Sequence, residues 1–75
     1  METNKYFSTR LRQLREAKGI TQKELGAVFG SQKSVISNWE ARQSIPRAHI
    51  LSQLADSFDV SIDYLLGRTD NPETN

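Results

Sequence analysis

Apolar residues recur at helical spacing along most of the 75-residue chain, and no stretch alternates apolar and polar residues as a β-strand does. The series Phe7, Leu11 and Leu14 predicts a first helix from about residue 4 or 6 to Lys18, where Gly19 stops it. Four later series have the same spacing: Leu25, Val28 and Phe29; Val35, Ile36 and Trp39; Ile50, Leu51, Leu54, Ala55 and Phe58; and Ile62, Leu65 and Leu66. The pattern therefore predicts five short helices.

The second and third of these helices are separated by only a short turn. Thr21 is an N-cap residue and Glu24 completes a capping box, so the second helix begins at about residue 22 and ends near residue 29. Gly30 suits the left-handed backbone conformation that closes many helices, and the third helix then starts from residue 31 or 32. Two helices joined in this way define a helix-turn-helix.

Glycine, proline and serine residues predict the remaining details of the helices. Gly26 costs the second helix roughly 1 kcal/mol relative to alanine, which a close approach of another helix would explain, with an ordinary surface glycine as the alternative. Pro46 suits the first turn of the fourth helix. Ser61 caps the fifth helix and Gly67 ends it. Residues 68–75 are polar and predict a disordered tail or linker.

Composition limits the classes of protein that fit. With 36% hydrophobic residues, 75 residues suffice for one small domain. The chain has no cysteine, four scattered glycines and one histidine, His49, so it offers no nucleophile with a base, no metal cluster and no phosphate-cradling loop. The sequence predicts no enzyme, no metal and no cofactor. It also has no apolar run of membrane-spanning length and no signal peptide, which predicts a cytoplasmic protein.

The charge is divided unevenly along the chain, although its net value is only +1. Residues 1–47 hold nine of the ten basic residues and four of the nine acidic ones, a net charge of +5. Residues 48–75 have a net charge of −4. The predicted helix-turn-helix thus lies in the basic half, where positive charge would favour binding to a phosphate backbone.

Several segments, in this order and at these spacings, resemble the phage repressor and Cro family, whose domain is also called the Xre-type helix-turn-helix. The segments are LRQLREAKGITQKELG (11–26), the turn at Gly30, VISNWE (35–40), the proline after the third helix and VSIDYLLG (60–67). The resemblance implies an all-α, compact five-helix domain over residues 6–67, in which helices 2 and 3 form the helix-turn-helix. It also implies a sequence-specific regulator of transcription, of repressor type, that binds double-stranded DNA at the nucleoid.

The resemblance also assigns roles to individual residues of the helix-turn-helix. The third helix would lie in the major groove. The base-reading positions fall on Lys33, Ser34 and Asn38, with Ser37 and Gln32 close by. The phosphate contacts fall on Gln22, Arg42, Gln43, Ser44 and Arg47. Lysine can donate to guanine, asparagine can pair with adenine, and serine can donate or accept, so the residue types suit these roles.

Other charged residues of the basic half have more ordinary interpretations. Lys23, Arg10 and Arg12 are expected to be solvated charges. Many family members have serine or threonine as the N-cap of the third helix, whereas this chain has Gln32 there and Ser31 one place earlier. Either the helix starts a residue sooner or its cap is poorer.

Trp39 and Glu40 close the third helix. Trp39 shares the apolar face of that helix and is expected in the core. Glu40 lies unfavourably at a helix C-terminus, where it needs a cationic partner. Arg15 lies on the inner edge of helix 1 and fits that need, and the family resemblance supports an Arg15–Glu40 ion pair.

The partners expected from the sequence are a palindromic DNA operator and a second copy of the chain. One helix-turn-helix covers only a half-site, so a homodimer is expected. The dimer contact would use the apolar residues of helix 5 or a missing C-terminal domain. The helix 5 residues are Val60, Ile62, Tyr64, Leu65 and Leu66, and the alternative interpretation is that they close the core. The alternative function is that of an antitoxin or protein-interaction adaptor with the same fold.

Overall fold

The computed structural model describes residues 2–41 and 44–73 and contains five helices. They are α1 (Glu2–Ala17), α2 (Gln22–Val28), α3 (Lys33–Glu40), α4 (Ala48–Phe58) and α5 (Ile62–Leu65). The described part of the chain has no strand, in agreement with the predicted all-α fold. The first helix begins earlier than the apolar pattern predicts, because its polar first turn continues the helix up to the core residue Phe7.

Local side-chain chemistry fixes the ends of α2. The Thr21 hydroxyl accepts a hydrogen bond from the Glu24 backbone N–H at 3.0 Å, and the Thr21 N–H donates to the Glu24 carboxylate at 2.7 Å. This is the predicted capping box. After the helix, Gly30 has a φ of +66°, a left-handed conformation that glycine adopts without strain.

The turn into α3 is tight. A Cβ atom on Gly26 would lie 2.8 Å from the carbonyl oxygen of Ser31, so a close approach of the backbone explains the glycine inside α2. Gln32 is the N-cap of α3, and its side chain makes no capping hydrogen bond. Of the two alternatives for this helix, the structure therefore has the poorer cap.

Every helix contributes to one hydrophobic core. The fully buried side chains include Phe7 and Leu11 of α1, Leu25 of α2, Ile36 of α3, Leu54 of α4 and Leu65 of α5. Trp39 is also buried, and its ring meets Phe7 edge to face, with 6.4 Å between the ring centroids. The prediction of Trp39 as a core residue is confirmed.

Two details of the helices differ from the prediction. Val28 is 64% exposed, because it lies about 200° around α2 from Gly26, whose side faces the α2–α3 turn. Pro46 is outside α4, since Arg47 keeps an extended backbone as N-cap and the helix begins at Ala48. A proline fixes only its own φ and restricts the residue before it, so it does not set the register of the helix that follows.

Arg10 is not the solvated charge that the sequence predicts, since its side chain is only 12% exposed. Its guanidinium donates to the carbonyl oxygens of Tyr64 and Thr69, both at 2.6 Å, and to the Asp70 carboxylate at 2.7 Å. It also lies over the Tyr64 ring, 4.2 Å from the centroid. The arginine thus joins α1 to α5 and to the tail.

The described part of the tail returns to the domain, although its composition predicts disorder. Besides the two contacts with Arg10, the Pro72 carbonyl oxygen accepts a hydrogen bond from the Ser61 N–H at 3.0 Å. None of the helices in residues 2–41 and 44–73 combines the length and the apolar character needed to cross a membrane.

Candidate nucleic-acid interface

A buried carboxylate joins three helices at the base of the helix-turn-helix. Glu40 accepts hydrogen bonds from the Arg15 Nε at 2.6 Å and from the Arg15 Nη2 at 3.1 Å, and a third from the Gln22 amide at 3.0 Å. The side chain of Glu40 is 4% exposed and that of Arg15 is 12% exposed. The predicted ion pair is therefore present as a bidentate, largely desolvated contact.

Arg15 has a further bond that fixes its position. Its Nη1 donates to the carbonyl oxygen of Ile20 at 2.8 Å, in the connection between α1 and α2. Hydrogen bonding with Glu40 raises the pKa of Arg15 more than burial lowers it, and the charges of Glu40 and Glu16 add to the rise. Arg15 thus stays charged throughout the physiological pH range, and the network holds α1, α2 and α3 together.

One side of α3 is polar and faces solvent. At about 100° per residue, positions 33, 34, 37 and 38 fall within an arc of about 140°, and the core residues of α3 face the other way. Lys33, Ser34 and Asn38 are exposed and Ser37 is half-buried, while Gln32 is exposed just before the helix. The structure therefore brings Lys33, Ser34, Ser37 and Asn38 to one accessible side of α3, and Gln32 is exposed just before its first turn.

Two depressions flank this side of α3. The first has a volume of 540 Å³ and is lined by Arg15, Gly19, Ile20, Thr21, Gln22, Lys23 and Lys33. The second has a volume of 220 Å³ and is lined by Arg12, Gln22, Ser37, Glu40 and Ala41. Gln22, the first residue of α2, lines both and therefore lies between the two depressions.

The two depressions add two cations, Lys23 and Arg12, to the candidate interface, although the sequence predicts both as solvated charges. Lys23 lines the first together with Lys33, and Arg12 lines the second together with Ser37. Arg12 lies about 60° around α1 from Arg15, so it follows the same edge of that helix. Its spacing from Arg15 is the sequence signal that identifies it, once Arg15 is known to face α3.

The other predicted phosphate contacts lie in the connection from α3 to α4. Ser44 and Arg47 are exposed there. Arg42 and Gln43 fall outside the described residues. Gln22 is half-buried and already donates to Glu40, so it has one amide hydrogen and its carbonyl oxygen left for other contacts.

The predicted apolar patch of helix 5 is only partly at the surface. Val60 and Leu65 are buried, Tyr64 and Leu66 are half-buried, and Ile62 is 36% exposed. Of the two interpretations, closing the core therefore accounts for Val60 and Leu65, whose side chains are part of the hydrophobic core. Ile62 is the member of this set that the structure leaves most accessible.

Comparison with known proteins identifies a helix-turn-helix domain in this chain. The family model described as helix-turn-helix matches residues 11–65, which run from α1 to the end of α5. No solved structure matches the chain closely enough to count as a relative.

Three curated bacterial proteins are similar in sequence. The chain is 42% identical over 67 residues to the uncharacterized HTH-type transcriptional regulator YobD of Bacillus subtilis, covering 89% of this chain and 60% of YobD. It is 35% identical over 60 residues to the HTH-type transcriptional activator BcrR of Enterococcus faecalis, covering 80% of this chain and 29% of BcrR. It is 33% identical over 66 residues to the HTH-type transcriptional regulator ImmR of Bacillus subtilis, covering 88% of this chain and 52% of ImmR.

The chain thus spans between about a third and three fifths of the length of these relatives. The match to the family model covers well over half of the chain and includes both helices of the turn motif and the Arg15–Glu40 pair. The chain belongs to the Xre-type helix-turn-helix family, the family of the phage repressors and Cro.

Proposed function

We propose that this chain binds double-stranded DNA sequence-specifically and regulates transcription, in the cytoplasm at the nucleoid. The observation that carries the proposal is the exposed polar side of α3, held by the buried Glu40 network and flanked by cations from α1 and α2. A rigid helix with short polar side chains fits the major groove, and the flanking cations meet the phosphates on its edges. The three curated relatives are named as regulators of transcription, which supports the same function.

Base reading is proposed for Lys33, Ser34 and Asn38, with Gln32 at their edge. Lysine donates to the O6 and N7 atoms of guanine, and asparagine pairs bidentately with adenine. All four side chains are exposed and none makes a hydrogen bond within the described part of the protein. They are therefore free to bind bases without first breaking an internal contact.

Phosphate contacts are proposed on both sides of α3. Gln22 and Lys23 lie at the start of α2, and Ser44 and Arg47 lie before α4. Arg42 and Gln43 remain proposed contacts by the family resemblance alone. Such contacts fix the register of the domain on the duplex without reading its sequence.

An adaptor or antitoxin that binds protein through α3 is the weaker alternative. A protein-binding helix would expose an apolar stripe, whereas the exposed residues of α3 are polar. We also propose repression rather than activation, because a domain of this size can block a promoter by occupancy and needs no second contact. A promoter–reporter fusion distinguishes the two, since repression lowers expression and activation raises it.

A palindromic operator and a homodimer are part of the proposal. The domain measures 29 × 24 × 22 Å. Its longest dimension is shorter than the distance of about 34 Å between the centres of two half-sites, so one copy can occupy each half-site. The second copy would dock through the exposed Ile62 of α5. Alternatively, it would dock through a C-terminal domain, since the relative YobD is longer than the matched region.

A band-shift titration with duplexes from the promoter region tests the proposal. Wild-type protein is expected to prefer one operator sequence over a scrambled duplex of the same composition. Asn38→Ala should reduce that preference by roughly five- to 150-fold, the value of one bidentate base contact. Gln53→Ala, a matched change on the exposed side of α4, should leave the preference unchanged. Equal binding of the wild-type protein to both duplexes would contradict sequence-specific recognition.

A further inference from the structure

The smaller depression beside α3 combines donors from three helices. We call it the Arg12 notch, lined by Arg12 of α1, Gln22 of α2, Ser37 and Glu40 of α3, and Ala41. Its volume of 220 Å³ is several times the roughly 30 Å³ of a water molecule. Arg12, Gln22 and Ser37, which carry a guanidinium, an amide and a hydroxyl, thus line one space that is large enough for a phosphate group.

Glu40 does not make the Arg12 notch repel anions. Its carboxylate already accepts two hydrogen bonds from Arg15 and one from Gln22, and its side chain is 4% exposed. The charge of Arg15 cancels that of Glu40 at short range. The positive charge of Arg12 therefore remains uncompensated within the notch itself.

Outside the notch, Arg12 has one ionic partner among the described residues. Its Nε lies 3.4 Å from the Glu16 carboxylate, one turn along α1, and both side chains are more than half exposed. An exposed pair at this spacing contributes little to stability and breaks easily. A phosphate would offer Arg12 two oxygens in place of one distant carboxylate oxygen.

We propose that the Arg12 notch binds one phosphodiester group of the DNA backbone, and that Glu16 competes with this phosphate for Arg12. The proposal rests on the proposed DNA binding and adds two residues to it. Gln22 supplies its remaining amide hydrogen, and Ser37 supplies its hydroxyl to the backbone rather than to a base. Glu16 weakens the contact for every DNA sequence alike, because a phosphate carries no sequence information.

The experiment uses Arg12→Gln, Glu16→Gln and the double variant, titrated against a fluorescent duplex between 50 and 200 mM salt. The loss of one phosphate contact should reduce the slope of log K against log salt by about 0.9. Over this salt range the wild-type protein should therefore lose about 3.5-fold more affinity than Arg12→Gln. Glu16→Gln should bind about twofold more tightly than wild type, and this gain should disappear in the double variant.

The exposed pair of Asp63 and Arg68 provides the matched control. Its charged atoms lie 3.9 Å apart, and its side chains, like those of Arg12 and Glu16, are more than half exposed. Arg68→Gln and Asp63→Asn make the same charge changes away from the notch. Any gain from Asp63→Asn comes from net charge alone, so it should persist when Arg12 is also replaced.

The outcomes separate the two proposals. If wild-type protein binds the duplex but Arg12→Gln keeps its affinity and salt slope, the notch does not bind phosphate. If the gain from Glu16→Gln persists in the double variant, Glu16 does not act through Arg12. If wild-type protein binds no duplex at all, the proposed function itself is wrong.

Discussion

Two arginines of α1 have the same burial but very different partners. Arg10 and Arg15 each have a side chain that is 12% exposed. Arg15 binds the carboxylate of Glu40, which is 4% exposed, whereas Arg10 binds two backbone carbonyls and the carboxylate of Asp70, which is 99% exposed. Being five residues apart, they point about 140° away from each other around α1, one toward the helix-turn-helix and one toward α5 and the tail.

The difference between the partners determines how much each arginine contributes to the free energy of unfolding. Without Arg15, the carboxylate of Glu40 would be left as an unpaired charge inside the protein, which is costly. Without Arg10, two neutral carbonyl groups would lose a donor, and Asp70 would remain solvated. Burial of the arginine alone therefore does not measure its contribution to stability.

Arg15→Ala is expected to have the largest effect. Removing one partner of a buried pair typically costs about 3–5 kcal/mol, a large part of the stability of a small domain. Urea unfolding followed by circular dichroism measures the loss. Arg12→Ala serves as the control, because its pair with Glu16 is exposed and the change should be small. A loss for Arg15→Ala no greater than for Arg12→Ala would contradict the structural role of the pair.

A double substitution distinguishes the contribution of the ion pair to stability from its role in positioning Gln22. Arg15→Met with Glu40→Leu replaces the ion pair by apolar side chains, which often recovers stability. Gln22 would then lose the acceptor of its hydrogen bond. DNA affinity should therefore stay below the wild-type value in a double variant that folds normally.

Arg10→Gln is expected to have an intermediate effect, about 1–3 kcal/mol, because three hydrogen bonds and a stacking contact with Tyr64 are lost but no buried charge is left behind. Urea unfolding measures the stability, and NMR relaxation of the backbone amides of residues 69–71 and of Glu73 measures the release of the tail. Arg68→Gln removes an exposed arginine nearby and should change neither. A tail that stays rigid in Arg10→Gln would show that Arg10 does not hold it.

The same two arginines show what the sequence can and cannot predict. The partner of Arg15 is a side chain, and a glutamate at the end of a helix signals its need for a cation. The main partners of Arg10 are the carbonyl oxygens of Tyr64 and Thr69, which any residue type would provide. Nothing in the identity of those residues distinguishes them, so the sequence predicts a solvated arginine.

A similar distinction holds for the fold and for the candidate interface. Helix ends fixed by local chemistry, such as the capping box of Thr21 and the cap of Ser61, could be predicted from neighbouring residues. The exposed side of α3 followed from its helical period. Arg12 and Lys23 needed the tertiary structure, because their place beside α3 depends on how α1 and α2 pack against it.

Asp70→Asn is expected to have the smallest effect, although the Asp70 carboxylate lies only 2.7 Å from the Arg10 guanidinium. Its side chain is 99% exposed, so water solvates the carboxylate in the folded and unfolded states and screens its charge. The melting temperature should fall by no more than about 2 °C, measured by thermal denaturation at low and high salt. The carbonyl contacts of Arg10 would remain, so the tail should stay in place. A decrease as large as that of Arg10→Gln would mean that Asp70, and not the two carbonyl oxygens, accounts for the stability that Arg10 provides.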